Sequence, residues 1–147
     1  MRNITNLSAF VVIIGLITAG GVVAQHEAGL IVYRDTDGQL TPTSEDVARQ
    51  MVQIASRQGH ITLWLTLNYA FDLYLDEQAD QEAIAAQNAA IREGFGEVLD
   101  PLIARQAAWY PETGPYFHGP GCSVRATEAG LRRLIRDDRI LQIVAVE

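Results

Sequence analysis

No lysine occurs in this 147-residue chain, so all 11 basic residues are arginine. That absence excludes Schiff-base and lysine-nucleophile chemistry. One cysteine, Cys122, excludes an intrachain disulfide and leaves zinc without the paired thiolates of a structural site. There is no phosphate-cradling glycine loop and no Gly-x-Ser-x-Gly elbow, so neither nucleotide binding nor the serine-hydrolase pattern has a starting point. Positive charge is scarce: 18 acidic against 11 basic residues give a formal net charge of −7. That balance argues against nucleic acid or an anionic membrane face as the main partner.

What could carry chemistry occurs singly. His118 and Cys122 stand four apart, but Gly119-Pro120-Gly121 between them reads as a turn, and Cys122 as a small packed thiol. His60 lies elsewhere in the sequence, and no metal is expected. Asp35-Thr36-Asp37-Gly38 lacks the downstream glycine and glutamate of a calcium loop and reads as a hairpin turn. Asp72, Asp76, Glu77 and Asp80 read as solvated loop and helix-start charges. No cofactor is expected, and the chain reads as a non-enzyme.

Residues 1–24 hold the one long apolar run: Arg2, an apolar centre from Ala9 to Ile17, then Val22-Val23-Ala24 before Gln25. This pattern predicts a cleaved export signal, placing the remainder outside the cytoplasm, secreted or periplasmic. The alternative is an uncleaved anchor, because Asn3 to Gln25 is uncharged and long enough to cross a bilayer. Residues 25–43 read as a linker or edge hairpin, and residues 44–147 as one α+β domain.

Within that domain Ser44 is expected to cap a helix that buries Val47, Met51, Ile54 and Ala55 and stops at Gly59. Ile61 to Leu67 alternates as a strand, placing Thr62, Trp64 and Thr66 on its second face. Asp80 opens a long helix with a stripe of Ile84, Ala85, Asn88, Ile91, Phe95 and Val98, reaching Leu99. Gly94 and Gly96 are expected to weaken its end. Leu102 to Tyr110 and Pro115 to Arg125 are the expected middle strands, the second shortened by Pro120-Gly121 to Cys122–Ala126. Thr127 caps a last helix with Leu131, Leu134 and Ile135 on one face, and Ile140 to Val146 makes a β-branched final strand.

The run Thr127-Glu128-Ala129-Gly130-Leu131 to Asp138-Arg139-Ile140, followed by Ile143-Val144-Ala145-Val146-Glu147, resembles the closing part of the subtilisin propeptide family. Ile61-Thr62-Leu63-Trp64-Leu65 resembles that family's first strand, and Asp80 to Leu99 its first helix, so the resemblance spans Gly59 to Glu147. It implies a ferredoxin-like β-α-β-β-α-β sandwich, an antiparallel sheet with helices on one face, here with an extra N-terminal helix. It also implies a subtilisin-like serine protease as partner, with the chain acting as inhibitor or folding chaperone. In the family the open sheet face packs on two surface helices of the protease, and acidic residues at the end of the last strand cap them. Glu147 matches the first such position. The expected partner-binding residues are Thr62, Trp64, Thr66, Val146 and Glu147. The chain stops at Glu147, so the family's cleft-filling tail is expected to be missing. With an uncleaved anchor the alternative is a membrane-held accessory or scaffold subunit of an envelope complex.

Overall fold

The computed structural model describes residues 29–72 and 81–146. They run β1 (Ile31–Tyr33), α1 (Pro42–Gln58), β2 (Ile61–Leu67), α2 (Gln81–Ala104), β3 (Ala108–Trp109), β4 (Phe117–His118), β5 (Gly121–Ala126), α3 (Glu128–Arg136) and β6 (Ile140–Val146). The segment assigned to export or anchoring, residues 1–24, lies outside the described residues, as does Glu147.

All pairings are antiparallel, in the order β1-β6-β2-β5-β3, with β4 sharing the far edge of β5. Strict alternation along β2 sends Ile61, Leu63, Leu65 and Leu67 into the core and leaves Thr62, Trp64 and Thr66 half-buried on the other side. The same alternation sorts Cys122, Val124 and Ala126 from Ser123 and Arg125 in β5. The three helices lie on the first side, where Met51, Phe95 and Leu131 join Leu63, Leu65 and Val124 in one core. The chain is α+β, with a six-stranded antiparallel sheet and helices on one face of it.

The cap of helix α1 lies three residues earlier than Ser44. Thr41 is its cap, accepting a hydrogen bond from the Ser44 backbone amide at 3.1 Å, and Pro42 fills the first turn, where a missing N–H costs nothing. Ser44 is instead fully buried and its hydroxyl accepts from the Tyr33 amide at 3.1 Å, tying the helix to β1.

Helix α2 overturns three expectations. Ala85 and Asn88 are exposed, and the buried stripe runs through Ile91, Phe95, Val98, Leu99 and Leu102. Gly94 does not fray the helix; a Cβ there would lie 3.0 Å from Leu67 Cδ1, so its bareness lets α2 approach β2. The helix continues through Pro101 to Ala104, because Leu102 falls at i+3 and i+7 from Leu99 and Phe95 and is buried. The strand predicted over Leu102 to Tyr110 is therefore only Ala108–Trp109. The helix ends with Gln106 in the left-handed region at φ 58°. There the Ala107 amide donates to Leu102 O at 2.8 Å and the Gln106 amide to Ile103 O at 3.0 Å.

The strand predicted over Pro115 to Arg125 is a hairpin, Phe117–His118 and Gly121–Ala126, turned at Gly119 with φ 54°. Proline at 120 occupies the turn, where no ladder donor is needed. Thr127 caps α3 as expected, accepting from the Gly130 amide at 3.2 Å, and its hydroxyl donates to Ala107 O at 3.3 Å. Gly130 lies on that same carbonyl: a Cβ would fall 2.0 Å from Ala107 O.

Candidate functional site

The candidate site is the side of the sheet that the helices leave bare. Register builds it row by row. Trp64 stands between Ser123 of β5 and Val144 of β6, and Val144 is in turn opposite Ile31 of β1. One row along, Thr62 lies between Arg125 and Val146, with Trp109 opposite Arg125. In the other direction Thr66 lies between Gly121 and Gln142, and Tyr33 is opposite Gln142. Directly paired residues point to the same face, so these side chains form one surface.

Four of the five residues expected from sequence, Thr62, Trp64, Thr66 and Val146, thus meet on it. Glu147 lies outside the described residues.

The surface is apolar and aromatic at its centre. The Trp64 ring lies over Gly121, where a Cβ would be 2.3 Å from the indole, and its centroid is 6.0 Å from that of Tyr116. His60 and Trp109 stack obliquely at 5.6 Å. Ile31, Tyr33 and Tyr116 are 40%, 43% and 59% exposed, so large side chains face solvent across the edge strand and the hairpin. The two tryptophans of the chain, Trp64 and Trp109, both belong to this face.

Arg125, Trp109, Ile31, Tyr33 and Tyr116 were not picked out from sequence. The alternation Cys122-Ser123-Val124-Arg125-Ala126 carries a signal for Arg125, since it puts arginine on the face opposite the buried Val124. Trp109 is hidden in the sequence because the strand expected over Leu102 to Tyr110 is in fact only Ala108–Trp109.

Catalytic geometry is not assembled around the cysteine. Cys122 is fully buried on the helix side opposite Phe117, and burial pushes its thiol up to about 12. His118 is paired with Gly121, hence on the bare side of the sheet, so the ring and the thiol have different faces. Among the described residues no group of three His, Cys, Asp or Glu is placed to hold a metal, and no helix is long and apolar enough to cross a membrane. Two open grooves of about 420 and 610 Å³ lie on the helix side, rimmed by arginines of α3. Arg132 there is engaged by Glu128 at 2.9 Å, and Arg49 by Asp46.

Compared with known proteins, the chain matches no family model, no curated protein and no solved structure.

Proposed function

We propose that the chain is a non-catalytic, exported protein-binding module that docks on a subtilisin-like serine protease and acts as its inhibitor or folding chaperone. The observation that carries this reading is the bare sheet face, on which both tryptophans, two tyrosines and three aliphatic side chains gather without a covering element among the described residues. A monomer rarely leaves so much aromatic surface on one face unless a partner covers it.

The arrangement of elements supports the finer reading as a ferredoxin-like sandwich. Leaving aside β1, β4 and α1, the order along the chain is β2-α2-β3-β5-α3-β6, and the sheet order is last, first, third, second. On this reading β1 and α1 are additions at the β6 edge, and β4 is a hairpin arm.

The test is titration of the chain against subtilisin, following peptide hydrolysis, together with refolding of denatured mature subtilisin in its presence. Inhibition or faster recovery of activity at micromolar chain supports the proposal. No binding and no effect on either rate contradicts it.

A further inference from the structure

Among the described residues the bare face carries one formal charge. Of the side chains that register places on it, Arg125 is the only ionised one, and its neighbours across the sheet are Thr62 on one side and Trp109 on the other. Its Nε is buried and has no hydrogen-bond partner, and no carboxylate among the described residues pairs with it. A guanidinium always carries its charge, and an N–H taken from water without an acceptor is unfavourable. Among the described residues Arg125 is therefore left with an unmet donor, half-buried between Thr62 and Trp109.

The missing half identifies the kind of occupant. A second copy docking face to face would bring another Arg125 and no carboxylate, leaving two guanidinium groups desolvated and unpaired. A hydrocarbon surface would leave the N–H unmet as well. A protein surface that presents an aspartate or glutamate among apolar side chains would satisfy the fork bidentately while covering Trp64 and Trp109.

Resting on the protease-docking reading above, we propose that Arg125 is the specificity-determining residue of the face, taking a carboxylate of the docked protease between Trp109 and Thr62.

The experiment compares the wild-type chain with Arg125→Met and Arg125→Lys, measuring affinity for active-site-blocked subtilisin and the urea midpoint of each free chain. The proposal expects Arg125→Met to keep or raise the midpoint, since an unmet polar group is removed, while binding weakens roughly 30-fold or more. Arg125→Lys keeps the charge but loses the fork and is expected to weaken binding roughly tenfold. The wild-type complex should also lose more affinity with added salt than the Met variant does. If wild type binds and both variants bind equally well, the Arg125 proposal falls and the protease reading stands. If both variants lower the urea midpoint steeply, Arg125 belongs to the fold and the proposal is overturned. If wild type does not bind, both readings fall together.

Discussion

Arg34 shows what one long side chain does in this fold. Its Nε donates to Ile140 O at 3.0 Å, Nη1 to Gly38 O at 3.1 Å, and Nη2 to Ile135 O at 2.7 Å and Asp137 O at 3.1 Å. A cation thus closes the carbonyl end of α3, where the helix dipole is negative, and ties the β1 hairpin to the start of β6. Arg34→Ala is expected to cost about 2–3 kcal/mol in chemical denaturation, the range for a hydrogen-bonded charge with several partners. Beside it, Asp137 accepts from Arg139 Nη2 at 2.7 Å, and chiefly that hydrogen bond, with Arg34 adding a smaller attraction, holds its carboxyl below the ordinary value of 3.8. A lowered carboxylate stabilises the folded state fully above its unfolded value and loses that contribution as the pH falls through the folded one. Asp137→Asn should therefore lower the thermal midpoint at neutral pH, with the difference from wild type shrinking as the pH drops below about 4. The role of Arg34 is not legible in the sequence, because its capture of the Ile135, Asp137 and Ile140 carbonyls depends on residues more than 100 positions away.

Elements were legible where local pattern and tertiary packing agree. In α3 the Thr127 cap and the Leu131-Leu134 stripe are properties of neighbouring residues, and both are seen in place. The strands β2 and β6 likewise follow from alternation and β-branching. The strand expected from Leu102 gives way to helix for a physical reason: burial of Leu102 and Ile103 against the core carries α2 through Pro101 for another turn. What stops it is Gln106, a residue with a Cβ in a left-handed backbone position usually given to glycine. Gln106→Gly relieves that strain at the cost of a looser unfolded chain, and a net gain of about 0.5–1 kcal/mol is expected from urea unfolding. Loss of stability in that variant would mean that the Gln106 side chain contributes more than its backbone costs.

At the scale of the whole molecule, the described residues seal one side of the sheet with three helices and leave the other bare, and the asymmetry follows from period-two alternation repeated in register across β1, β6, β2, β5 and β3. Alternation in β2 was enough to place Thr62, Trp64 and Thr66 on the bare side from sequence. The contributions of β1 and β3 required the pairing itself, which a three-residue and a two-residue strand do not advertise. Because both tryptophans lie on that side, they report on its occupancy without disturbing the core. The most direct measurement is a 19F spectrum of the chain labelled with fluorotryptophan, titrated with active-site-blocked subtilisin. The account predicts that the Trp64 and Trp109 resonances both shift and broaden to saturation at micromolar protease. Two resonances that stay unmoved under those conditions would contradict it.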